Sequence, residues 1–153
     1  MREKLMSIGD DSWIEDADGN KAFKVNGKAL RIRETFVLED SSGNEVASIQ
    51  EKKLSIRDKM EIERGGHTVA TIHKAMIAPL RERYKIDLDV GGEWEAQGNI
   101  VDHEYKIHDG RADIAEVSKK WFRVRDTYGV EIEPDQDDAL VLAVTVAIDA
   151  MRD

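Results

Sequence analysis

The residue pattern predicts an all-β protein with one helix, in which about twelve antiparallel strands close into a barrel around a buried C-terminal helix. Three observations predict it. Most of the chain alternates apolar and polar residues with period two and is cut at short intervals by turn residues. One hairpin frame occurs four times, and the stretch from Ala139 to Ile148 then runs without a single charge.

The turns come first in the chain. Asp16-Ala17-Asp18-Gly19-Asn20, Asp40-Ser41-Ser42-Gly43-Asn44, Arg64-Gly65-Gly66 and Asp109-Gly110 each supply a Gly, Asn or Asp that closes a tight reversal, and Val90-Gly91-Gly92-Glu93 is a fifth. Around the first four, the chain enters through Trp13-Ile14, Phe36-Val37-Leu38, Met60-Glu61-Ile62 and Tyr105-Lys106-Ile107. It leaves through Ala22-Phe23-Lys24-Val25, Val46-Ala47-Ser48-Ile49, Val69-Ala70-Thr71-Ile72 and Ile114-Ala115-Glu116-Val117. These are predicted hairpins.

A longer echo lies over them. Ala47 to Ile62 superposes without a gap on Ala115 to Val130, with Lys52, Arg57 and Asp58 recurring as Lys120, Arg125 and Asp126. Two similar meander halves follow, each with an apolar face that something must cover. The recurrent Arg57-Asp58 and Arg125-Asp126 are read as equivalent turns or ion pairs.

The last segment is the cover. Pro134 ends the preceding strand, and Asp135-Gln136-Asp137-Asp138 places carboxylates where a helix N-terminus favours them. A helix apolar on every side must be surrounded, and the run is about half the roughly 20 residues that a membrane span needs. Protein is therefore the expected surround. Closing the sheet removes exposed edges, and about twelve strands admit a helix of roughly 10 Å diameter.

Composition bounds the rest. The 153 residues suit a single domain over 1–153, with 41% apolar residues for a core and 36% charged residues for its exterior. A net charge of −9 opposes nucleic-acid binding, which needs clustered basic surface. There is no cysteine, so disulfides, thiolate metal sites and a cysteine nucleophile are excluded. No signal-length apolar run opens the chain, so a cytoplasmic location is expected.

The carriers Phe36-Val37-Leu38-Glu39-Asp40 with Gly43 and Val46-Ala47-Ser48-Ile49, Lys52-Lys53-Leu54, Ile114 to Trp121, Asp126-Thr127-Tyr128-Gly129-Val130 and the terminal Asp138–Met151 segment resemble the LURP-one-related family. That family belongs to the tubby-like superfamily, with phospholipid scramblases as distant relatives, and the resemblance runs from about Ser12 to Met151. It implies a twelve-stranded barrel around a central helix, and it implies phospholipid headgroups as a ligand class. Scramblases carry cysteine-rich palmitoylation segments, which this chain lacks, so scramblase activity is not expected.

The functional reading is a non-catalytic binding or scaffold domain that recognises an anionic phospholipid headgroup or a protein partner, with peripheral membrane contact at most. Its candidate residues are basic pairs at i, i+2, which share a strand face: Arg31/Arg33, Arg81/Arg83 and Arg123/Arg125. Lys28, Arg31 and Arg33 are favoured, because tubby-like lipid sites also use neighbouring basic strand residues. Such alternation equally describes a solvated outer face. Two alternatives stand beside it: an enzyme with a small pocket at the barrel end using His103 and Glu104, or His108, and a purely structural or oligomer-forming module. His67, His73, His103 and His108 are too scattered for a metal-ligand spacing, no glycine loop cradles a phosphate, and no cofactor is expected.

Overall fold

The computed structural model describes residues 4–8, 13–29, 34–51, 59–75, 82–121 and 127–151. Twelve strands precede one helix: β1 (Lys4–Ile8), β2 (Trp13–Glu15), β3 (Lys21–Ala29), β4 (Glu34–Asp40), β5 (Glu45–Glu51), β6 (Lys59–Arg64), β7 (His67–Ala75), β8 (Glu82–Leu88), β9 (Glu93–Asn99), β10 (Glu104–His108), β11 (Asp113–Ser118), β12 (Tyr128–Ile132) and α1 (Asp138–Met151). Each strand pairs antiparallel with its neighbours in the chain. β1 pairs with both β12 and β2, which brings the order round into a closed barrel. The two sides of β1 differ: five residue pairs join it to β12 and two to β2.

The four repeated frames share a backbone device as well as a sequence. Pairing slips by one residue at Ile14/Glu15, Leu38/Glu39, Ile62/Glu63 and Ile107/His108, so each hairpin carries an irregularity just before its turn. Such bulges sharpen local twist, which a sheet must have to curl round on itself. Three of the four turns are closed by carboxylates. Asp16 Oδ1 accepts the N–H groups of Asp18 and Asn20, Asp40 Oδ1 those of Ser42 and Asn44, and Asp109 Oδ1 those of Arg111 and Ala112. Gly19 and Gly43 follow at φ 83° and 87°, a region their lack of Cβ makes inexpensive.

The echo in the sequence is one strand pairing used twice. Ile49 pairs with Ile62 between β5 and β6, and Val117 pairs with Val130 between β11 and β12; each partner is displaced by the same 68 residues. The two pairs sit six strands apart, on opposite sides of the ring. The recurrent Arg57-Asp58 and Arg125-Asp126 lie outside the described residues.

Inside the ring, alternate residues of the strands face the core, among them Leu38, Ile49, Ile62, Ile72, Ile86 and Ile107, all fully buried. Helix α1 fills the space between them, and every residue from Val141 to Ile148 is buried. Thr145, the one polar side chain in that run, donates its hydroxyl to the Val141 carbonyl at 2.9 Å, so enclosure leaves it satisfied. The cap is Asp137, one residue before the helix: its Oδ1 accepts the Leu140 N–H at 3.2 Å, and its carboxylate also meets Arg64 at the end of β6. Among the described residues no helix is long and apolar enough to cross a membrane.

Two predictions follow from this packing and from the turns. Leu142 is fully buried, so Leu142→Ala leaves a cavity and lowers the unfolding free energy by about 2–5 kcal/mol, measured by urea titration. Asp40 is held below its ordinary value of 3.8, chiefly by the Asn44 backbone N–H, with the Ser42 and Gly43 N–H groups and the Asn44 amide adding to it against a lesser push from desolvation. A depressed folded-state value means stabilisation present above that ordinary value and lost as pH falls through the folded one. Denaturation midpoints measured between pH 5 and pH 2 will accordingly fall less steeply in Asp40→Asn than in the parent chain.

Candidate functional site

Antiparallel pairing fixes which residues share an end of the barrel. The connections β2–β3, β4–β5, β6–β7, β8–β9 and β10–β11 and the passage from β12 into α1 all fall at one end. Within residues 15–21, 39–45, 63–67, 87–93, 108–113 and 133–138 the chain places 16 of its 32 acidic residues but only three of its 23 basic ones: Lys21, Arg64 and Arg111. These connections thus carry −13, and everything else in the chain carries +4. The net charge of −9 is a property of one pole.

Beside that pole, an aromatic and basic patch lies on the outer face of β2 and β3. Pairing sets Trp13 opposite Lys24, while the core-facing residues Ile14 and Phe23 pair beside them. Lys21 Nζ stands 4.7 Å and Lys24 Nζ 5.6 Å from the centre of the Trp13 ring. Lys21 is exposed, and Trp13 and Lys24 are half-buried. Glu15 and Glu39 pair opposite Lys21 and Lys24, so the cations alternate with carboxylates. Lys28 occupies the position opposite Thr35, four residues along β3 from Lys24, and a period of two assigns both positions to one face.

Of the residues that the sequence pointed to, Arg31, Arg33, Arg81, Arg123 and Arg125 lie outside the described residues. Arg83 is on the outer face with its Nε 3.3 Å from Glu95 Oε1, an ion pair across β8 and β9. His73 lies 3.8 Å from Asp87, and His67 and His108 sit at hairpin ends. Among the described residues no three His, Asp or Glu side chains gather to hold a metal ion.

His103 and Glu104 are adjacent in sequence and engage different partners. The Glu104 carboxylate accepts the Ser118 hydroxyl at 2.8 and 3.0 Å and the Lys119 N–H at 3.0 Å, which ties the start of β10 to the end of β11. The His103 ring instead stacks on Tyr128, centroids 4.1 Å apart, and its Nε2–H donates to Asp149 Oδ1 at 2.7 Å. Gly98 makes room for this turn. At φ 140° it pairs with Tyr105, and a Cβ there would stand 2.7 Å from the Glu104 carbonyl oxygen and 2.8 Å from the Tyr105 Cα.

Two participants escaped the sequence reading. Trp13 and Lys24 are 11 positions apart, and only the bulged hairpin register makes them neighbours. Asp149 carried a fainter signal, an acid in the last helical turn with no basic residue there.

Gly98→Ala forces backbone apart at a left-handed position and lowers stability by roughly 1–3 kcal/mol. Thermal unfolding of that variant beside Gly65→Ala, where a Cβ meets nothing within 4 Å, separates the close approach from the general cost of positive φ.

Comparison with known proteins adds three findings. A sequence model described as LURP-one-related matches residues 1–149. The chain is 30% identical over 149 residues to a Bacillus subtilis protein named YxjI and described as uncharacterized, covering 97% of this chain and 90% of that one. A crystal structure of a protein from Arabidopsis thaliana superposes with a TM-score of 0.76 at 20% identity, covering 99% of this chain and 93% of the other.

Proposed function

The chain belongs to the LURP-one-related family, and from that premise we propose that it is a non-catalytic tubby-like binding domain, a closed barrel that recognises anionic phospholipid headgroups on the outer face of β2 and β3. The observation that carries the reading is Trp13 flanked by the Lys21 and Lys24 ammonium groups. A ring with an apolar body and a polar N–H suits the boundary between headgroup and acyl chain, and lysines beside it supply donors and charge for phosphate.

A wider feature supports an exterior face. The lumen is filled by α1, so recognition is assigned to the exterior of the strands or to a barrel end rather than to an internal cavity.

Flotation with vesicles tests the proposal. Phosphatidylcholine vesicles containing a phosphoinositide or phosphatidylserine are expected to carry the protein upward at low ionic strength, and pure phosphatidylcholine vesicles are not. Each lysine near such a surface contributes about 1 kcal/mol, so Lys21→Ala/Lys24→Ala weakens binding about thirtyfold, and raised salt weakens it in the parent. Absence of flotation with every anionic vesicle at low salt, or an unchanged affinity in the double variant, overturns the proposal.

A further inference from the structure

We infer that the contact between His103 and Asp149 is a clasp that sets the axial and rotational seat of α1 inside the barrel. The need for one arises from the helix itself. From Val141 to Ile148 the helix is buried on every side, and its one internal hydroxyl is spent on its own backbone. Nothing polar in that stretch distinguishes one seat from another. Apolar burial is non-directional, so a slide of one turn, about 5.4 Å, sets aliphatic side chains against aliphatic side chains again. Polar contacts at the ends of the helix are what mark a single register, a use for which buried polar groups in helical assemblies are well attested.

The C-terminal contact joins two choices that are each unfavourable alone. Asp149 places a negative charge in the last turn of α1, where the backbone dipole opposes it. His103 is the one non-glycine residue at positive φ among the described residues, at 56°. The two meet at 2.7 Å. The His103 ring is also fixed by its stack on Tyr128, and the turn beneath it by the His103 N–H donating to the Ile100 carbonyl and the Asn99 amide donating to Asp102.

The N-terminal contact is of a different kind. Arg64 and Asp137 keep 35% and 48% of their side-chain surface exposed, whereas His103 keeps 13%. An arginine on a long stem follows a shifting partner, while an imidazole with two torsions held in a stack does not. The sharper constraint therefore sits at the C-terminal end.

Amide hydrogen exchange on the full chain, resolved by residue, tests the inference. His103→Gly keeps the left-handed backbone, at lower cost, and removes the ring. Asp149→Ala removes the carboxylate from a partly exposed site. Both variants are expected to speed exchange of the Val146–Met151 amides about tenfold or more, as loss of a charge-assisted hydrogen bond does, while amides of β3 to β6 stay within about twofold of the parent. The double variant falls short of the summed effects of the two singles, since the hydrogen bond they share is lost only once. Without a clasp, the two substitutions act independently and their effects add in full in the double variant. That result, unchanged rates in both variants, or a uniform rise through the strands each overturns the inference.

Discussion

Enclosure of α1 is the constraint on which the rest of the structure depends. Eight consecutive buried residues from Val141 to Ile148 have no face to offer water, and the strands in turn have an apolar inner face too broad to leave empty. Each solves the other's problem. The helix neighbours β5, β6 and β7 on one side and β12 on the other, so the repeated strand pairs β5–β6 and β11–β12 hold it from opposite walls. Because hydrophobic burial does not choose direction, the polar groups are found where direction has to be chosen. Asp137 and Arg64 mark one end, and Asp149 and His103 mark the other.

The same geometry sorts the charges. Tight hairpins need an acceptor that folds back on its own backbone, and aspartate fills that position at Asp16, Asp40 and Asp109. The helix start needs acids for the macrodipole, and it lies at the same end. Turn chemistry and helix chemistry thus concentrate negative charge at one pole for structural reasons. The outer strand faces are left nearer to balance, and there Lys21 and Lys24 flank an indole ring. The bulk charge of the chain is consequently a poor guide to any one face of it.

How much of this was legible in the residues follows from the range of the interactions. The all-β class, the turns and the terminal helix rest on period, glycine and aspartate within a few positions, and all three are found where the pattern puts them. The 68-residue echo went further, because an identical register at Ile49–Ile62 and Val117–Val130 preserves an identical pattern. The candidate sites were less legible. Arginine pairs at i, i+2 look alike whether solvated or functional, and Arg83 proves to be paired with Glu95. Trp13 meets Lys24 only through a bulge, and His103 meets Asp149 across 46 residues and through the barrel mouth. Distances of that kind are set by register and closure, which no local window contains.

The unequal sides of β1 have a consequence for how the molecule comes into being. Lys4 finds its partner in Ile132, almost the whole chain away, while only two residue pairs hold β1 to the adjacent β2. Strands β2 to β12 each pair with the next in sequence, so each of those pairings needs only a short loop closure. The strand that closes the ring on β1 lies just ahead of the segment that fills the lumen, so sealing and filling depend on one stretch of chain.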